Sequence, residues 1–391
     1  MAGDASSLLR DRPAGTAAML AVFSDAALLR GALTFEAALA MAEAEEGLVT
    51  EADAAAIRDA CHSLDPDIAD LAEAAAHAGT LAIPLVARLR AALNDAHPSA
   101  AAAVHLGATS QDLADTALTL QTRDAMTLLE HDGLRLERAL AVLAARHATT
   151  AQLGRTLLQG ARPITFGLKA AGWLTGIHAA RRRLAREAAA ALMLQLGGAA
   201  GTLAGLGEGD AALRVARRVA ETLGLGLPAL PWHARREGIA GLGAALAILA
   251  GATAKMARDI ALLAQTEIAE AFEPRVAGRG GSSAMAHKRN PTGCQVALSA
   301  ALRAPGLAAT LLAGLPQEHE RGLGGWQAEG PVLADLFILT HGAVVAMADV
   351  AEGLEVDPAA MARNLAAADV GGDTGASALL VERALAALRE E

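Results

Sequence analysis

Residues 238–265 read GIAGLGAALAILAGATAKMARDIALLAQ. Alanine and leucine dominate, charge arrives only at Lys255, Arg258 and Asp259, and no proline interrupts the run. Such a stretch favours helix yet carries apolar side chains nearly all round its circumference. A helix of that kind must be enclosed by other protein. It asks for an elongated bundle, and for a bundle that associates with further copies of itself. Comparable segments occupy 112–149, 163–195 and 291–313, and each runs past the ordinary length of a globular helix.

The remainder agrees with an all-α fold. Apolar residues make up 53% of the 391 positions while aromatics make up 2%, with no tyrosine; strands favour β-branched and aromatic side chains, so this balance favours packed helices. LTFEAALAMAEAEEGL (33–48) sets Leu33, Ala37, Met41 and Ala44 on one face and most glutamates on another, with Gly47 closing the helix. Shorter helices split by Pro66, Pro84 and Pro98 are expected over 51–101, and Gly371 and Gly372 divide two small helices in the tail. The expected division is an N-terminal helical domain over 1–104, a central bundle of about five helices over 105–345, and a short helical domain over 346–391.

A formal charge of −10 argues against a nucleic-acid partner. Cys61 and Cys294 form no framework, which suits a reducing compartment, and the first residues hold no apolar run of signal-peptide length. The uncharged runs 188–207 and 238–254 read as buried protein rather than membrane spans. A soluble, cytoplasmic protein is expected.

Four polar islands break the apolar background. HLGATSQDLADTAL (105–118) places Thr109 and Ser110 before a long helix, either as an N-cap or as hydroxyls and free amides that bind a carboxylate. LGRTLLQGARPITFG (153–167) gathers Arg155, Thr156, Gln159 and Arg162 before a helix expected to begin near Pro163; it reads as a solvated turn or as a carboxylate-binding fork. LPQEHERGLGGWQAEG (315–330) combines a charge cluster with Trp326. GGSSAMAHKRNPTGC (280–294) holds one of only three lysines, Lys288, and offers amides, hydroxyls, an ammonium and an amide group. It fits no phosphate-loop pattern, HExxH is absent and the histidines lack zinc spacing, so no metal site is expected. An anionic, oxygen-rich substrate remains, under a loop able to act as a lid.

GSSAMAHKRNP (281–291) resembles the GSSxMPxKxNP signature of the fumarase/aspartase superfamily, and HLGATSQD, GRTLLQ and HER lie at matching spacings, so the likeness covers roughly 30–345. Within it the chain most resembles the lactone-forming cycloisomerases, through HAGTLAIPLVARL (77–89), PWHARRE (231–237) and QEHERGLGGWQAEGP (317–331). It departs from the purine lyases: Trp326, Gln327, Ala328, Glu329 and Gly330 replace their Ser-Ser-x-Glu-Arg phosphate grip, and Leu157 replaces the histidine of Gly-Arg-Thr-His. Ala286 stands where the signature has proline, and Gly160 where cycloisomerases often carry a bulkier polar residue.

The resemblance implies addition of a substrate carboxylate across a conjugated double bond of a small tricarboxylate, within protocatechuate breakdown by the β-ketoadipate pathway. A related lyase performing β-elimination on another di- or tricarboxylate is the alternative. It implies Ser282 as acid/base with Ser283 beside it, and Lys288 and Asn290 at the carboxylate that accumulates charge. Thr109, Ser110 and Gln111 would hold a second carboxylate, while Arg155, Thr156, Gln159, His233 and Arg236 would supply the remaining contacts. It implies no cofactor, and a homotetramer whose active sites are shared between subunits.

Overall fold

The computed structural model describes residues 8–207, 209–281, 285 and 288–390; Ser282 and Ser283, with Ala286, lie outside the described residues. Two short helices, α1 (Leu8–Asp11) and α2 (Ala17–Val22), lead into α3 (Asp25–Glu45), α4 (Glu51–Ser63), α5 (Ile68–Ala78), α6 (Ala82–Leu93) and α7 (Pro98–Ala103). Then come α8 (Ser110–Arg146), β1 (Ala151–Thr156), β2 (Gln159–Thr165), α9 (Phe166–Ala191), α10 (Ala211–Leu223) and α11 (Glu237–Leu263). The chain closes with β3 (Ala271–Phe272), α12 (Thr292–Ala313), α13 (Gly325–Glu352), β4 (Glu355–Val356), α14 (Pro358–Ala367) and α15 (Ser377–Glu390).

The expected five-helix bundle is present. Helices α8, α9, α11, α12 and α13 pack in a ring, and α11 also meets α13 across the middle. Leu242, Leu246, Leu249, Met256 and Ile260 of α11 sit in its core with Leu136 and Leu140 of α8 and Leu336, Phe337 and Val344 of α13. A second core joins α3–α7 to the start of α8 and to α10, through Phe35, Leu39, Ile57, Leu85, Leu89, Leu113 and Val215.

Two differences from the sequence reading have physical causes. The segment before α9 is an antiparallel hairpin, β1 with β2, and the helix begins at Phe166 rather than near Pro163. There Thr165 accepts the Leu168 amide as N-cap. The short helices expected over 51–101 are present as α4–α7, with Pro66 between α4 and α5 and with Pro84 and Pro98 in the first turns of α6 and α7, where a residue needs no amide donor. Finally, Glu36 and Glu43 of α3 are buried, because α3 packs against α4, α8 and α10 and keeps little solvent face.

Glu36 meets the ring of His105 at 2.5 Å, whereas Glu43, 1% exposed, leaves Oε1 unpartnered. Burial, reinforced by Glu36, pushes the Glu43 carboxyl up to about 9 from an ordinary 4.5. The folded chain therefore keeps a proton that the unfolded chain releases. Its contribution to stability is complete below pH 4.5 and falls as pH rises towards 9, at roughly 1.4 kcal/mol per pH unit. Glu43→Gln should flatten that decline, raising the thermal midpoint at pH 8 and leaving it near wild type at pH 4. An unchanged pH profile would contradict the assignment.

The hairpin turn is strained. Thr156 pairs with Gln159, so Leu157 and Leu158 alone make the turn, with φ of 52° and 65°. Leucine in this left-handed region costs roughly 1–2 kcal/mol per residue.

Helices α11, α12 and α13 are long and apolar enough to cross a membrane by length and composition, but the bundle buries 61% of the apolar window of α11 and 67% of that of α13. In α12 only 28% is buried, and Leu302 and Leu312 stand on its open face.

Candidate active site

At the start of α8, the side chain of Asp112 organises the backbone. It accepts the amides of Gly197 at 3.0 Å and Gly198 at 2.9 Å, its own N-cap amide Thr109 at 3.0 Å, and lies 2.6 Å from Nε2 of His233. Gly198 is required here: its φ is +70° and a Cβ would come within 2.6 Å of the Gly107 carbonyl oxygen. Arg321 donates to the Thr109 hydroxyl at 2.7 Å. Arg321 also donates to the carbonyls of Gly198 and Ala199. Thr109 and Ser110 remain partly exposed at this helix start, where free amides and the helix dipole favour an anion.

Behind them lies a closed charge network. Arg236, 1% exposed, donates to both oxygens of Asp115 at 2.8 and 2.9 Å and to Glu329, with its guanidinium 4.5 Å from the Trp232 ring centroid. Burial opposes its charge, but Asp115 and Glu329 outweigh that and hold it protonated above the ordinary arginine value. Burial also raises the Glu329 carboxyl, against the pull of Arg236. The geometry is a charged guanidinium shared by two carboxylates. Gln111, fully buried, donates to Asp115 at 3.1 Å and to the His233 carbonyl at 3.0 Å. Of the residues expected to touch substrate, Arg236 is enclosed by Asp115 and Glu329 and His233 is held by Asp112, whereas Gln111 keeps its Oε1 buried and without a partner among the described residues.

The other expected residues gather at the opposite end of the bundle. Arg155 on β1 makes a two-pronged contact with Glu270, at 2.8 and 3.0 Å, and Gln152 and Asn364 donate to the same carboxylate. Burial works against the Glu270 charge, yet these donors hold its carboxyl below the ordinary value. The hairpin is therefore rigidly seated, while Thr156 and Gln159 are exposed beyond it.

Beside it the loop into α12 is anchored on both sides. Arg289 donates to Glu355 at 2.8 Å and to the Glu273 carbonyl, and the Glu273 carboxylate caps α12 by accepting the Gly293 and Cys294 amides. Arg289 is thereby pinned to the β3–β4 ribbon, while Lys288 beside it is exposed and Asn290 half-buried. The Asn290 amide nitrogen donates to the Gly281 carbonyl at 3.3 Å. Arg275, Arg279, Lys288 and Arg289 rim a cavity of about 520 Å³ here, with Asn290 in its wall. Glu273 lines the same cavity, and Arg279 and Arg289 are already paired with Asp349 and Glu355, but cations still outnumber the carboxylate in the lining, which suits a small polycarboxylate.

One chain does not unite these two groups. α8 has 37 residues and so spans about 55 Å, with Thr109 and Ser110 at its start and the Arg155 hairpin beyond its far end. Sequence reasoning passed over Asp112, Arg321 and the Asp115–Glu329 pair; only the HER charge cluster signalled Arg321.

Residues 14–306 match the profile of the family described as Lyase, and the chain belongs to this lyase family. It is 51% identical to the 3-carboxy-cis,cis-muconate cycloisomerase of Bradyrhizobium diazoefficiens, over 90% of this chain and 77% of that one. Identity to the enzyme of the same name from Pseudomonas aeruginosa is also 51%, over 89% and 76%. The crystal structure of 3-carboxy-cis,cis-muconate lactonizing enzyme from Pseudomonas putida matches with a TM-score of 0.87 at 45% identity, covering 98% of this chain and 88% of that one. The all-α bundle fold and the family read from GSSAMAHKRNP are both borne out.

Proposed function

We propose that the chain converts 3-carboxy-cis,cis-muconate to 4-carboxymuconolactone in the protocatechuate branch of the β-ketoadipate pathway. The observation that carries this reading is 51% identity, over 90% of the chain, to a cycloisomerase of that name. The cation-rimmed cavity supports it.

A substrate carboxylate oxygen attacks the carbon β to a second carboxylate. The π pair moves towards that second carboxylate, which becomes an aci-type dianion, and the α carbon then takes a proton. Three carboxylates become two and an ester, with net uptake of one proton. Fixed donors aimed at the developing charge stabilise the intermediate; Lys288 and Asn290 fill that role, and Ser282 supplies the proton, with Ser283 beside it. A serine can act so only where nearby cations and helix dipoles favour its alkoxide. Thr109 and Ser110 hold another carboxylate at the α8 start, backed by Gln111, His233 and Arg236, while Arg155 seats the hairpin that offers Thr156 and Gln159.

The two halves of this site come from different copies of the chain, since about 55 Å of α8 separates them within one. The open apolar face of α12 gives the copies a surface to bury, and a homotetramer in the cytoplasm is the assembly this reading adopts. The test follows loss of carboxymuconate absorbance with purified protein, without added metal or nucleotide. Lactone formation with uptake of one proton is expected. Elimination from another dicarboxylate without lactonisation, or cleavage of adenylosuccinate, would overturn the reading.

A further inference from the structure

The turn between α1 and α2 is locked onto α13. Thr16 accepts the Met19 amide at 3.1 Å, so its own proton goes to Nδ1 of His341 at 2.9 Å, whose Nε2 meets Asp132 of α8 at 2.9 Å. Gly342 lets the two backbones touch, since a side chain there would collide with the Ala14 carbonyl. Beside this clasp, between the turn, α12 and α13, opens a cavity of about 320 Å³ whose polar lining is Arg12, Thr16, Arg279, Thr292 and Asp349.

Donors in this lining outnumber their acceptors. Arg12 gives one N–H to the Gly15 carbonyl at 2.7 Å and makes no ion pair among the described residues. Arg279 reaches Asp349 at 3.5 Å and Glu273 at 3.9 Å, both longer than a charge-assisted hydrogen bond, while Arg135 holds Asp349 at 2.6 Å. The Thr292 hydroxyl is buried without a partner among the described residues. Two guanidiniums and an unmatched hydroxyl around one space need an acceptor, and an oxyanion supplies several. Arg279 also rims the cavity of Lys288 and Asn290, so it stands between the two.

We propose that this second cavity binds a small oxyanion, a carboxylate or a phosphate, between Arg12 and Arg279, and that the anion lowers substrate affinity by drawing Arg279 from the neighbouring cavity. The coupling to turnover rests on the function proposed above; the binding does not.

Calorimetry on full-length protein tests the site, with inorganic phosphate and succinate as separate probes and Lys288→Ala as the background that weakens the substrate cavity. A probe should bind saturably at one site per chain, and adding Arg12→Ala should weaken it about tenfold or more, the worth of a charge-assisted contact. Binding of phosphate alone assigns a phosphate ligand, and of succinate alone a dicarboxylate. Thr292→Val keeps the shape and removes a hydroxyl that has no partner, so without anion it should be at least as stable as wild type by thermal unfolding, yet bind the probe more weakly. In the otherwise wild-type chain, Arg12→Ala should turn over carboxymuconate normally without the anion, and the rise in KM that the anion causes should shrink. No saturable binding of either probe, or equal binding with and without Arg12→Ala, would overturn the site. A filled site with KM unmoved would overturn the coupling. Intact binding in a protein that forms no lactone would uphold the site and sink the proposed reaction instead.

Discussion

Arg236→Ala should cost the fold about 3–5 kcal/mol, the usual consequence of breaking a buried ion pair from one side. The loss arises from what stays behind. Asp115 and Glu329, 3% and 2% exposed, would face each other without the guanidinium between them, and neither can reach water. Gln111 and Gln195 still donate to Asp115, but amide donors do not neutralise two charges. Glu329→Gln in the Arg236→Ala background should recover part of the stability, since it removes one of the orphaned carboxylates. Urea denaturation gives both numbers. If Arg236→Ala were as stable as wild type and only lost turnover, the arginine would be a substrate contact and the closed network would be refuted.

The second large effect falls on rate alone. Ser282→Ala should lower kcat by roughly 10²–10⁴, the worth of a positioned acid or base, with KM little changed because the carboxylate donors Lys288 and Asn290 remain. Stability should hardly move, since removing one hydroxyl leaves both apolar cores untouched. Lys288→Ala removes a charge that meets substrate and transition state alike, so it should damage both kcat and KM. Near-wild-type turnover by Ser282→Ala would send the search for a proton carrier to His105, His287 and His319.

The bundle was legible in 238–265 because a run of Ala and Leu without proline has one stable form, a surrounded helix. α13 was not: Gly324, Gly325 and Pro331 look like punctuation, although Pro331 falls early in a helix that runs on to Glu352. The hairpin was hidden by its length, for six or seven residues with Gly154, Gly160 and Pro163 carry too little periodicity to separate strand from turn. Among site residues, chemistry was readable and placement was not. Arg236 and His233 were marked as cation and imidazole near the chemistry, but the partners that enclose them lie far along the chain: Asp115 and Asp112 are each 121 residues away, and Glu329 is 93. Local sequence cannot show such a pairing. It did show the anion preference of the loop, because Lys288, Arg289 and Asn290 stand out against an alanine background; that Arg289 is already paired with Glu355 needed coordinates.

The central claim, one catalytic site built from opposite ends of different chains, is tested most directly by mixing two inactive variants. One carries Ser282→Ala, damaging the loop end; the other carries Thr109→Val with Ser110→Ala, damaging the α8 start. Each is dissociated in mild denaturant, mixed with the other and reassembled, and carboxymuconate loss is followed. Lactonisation well above that of either parent should reappear, because some sites then join an intact loop from one chain to an intact helix start from another. Activity no greater than that of the two parents reassembled separately would contradict the shared site.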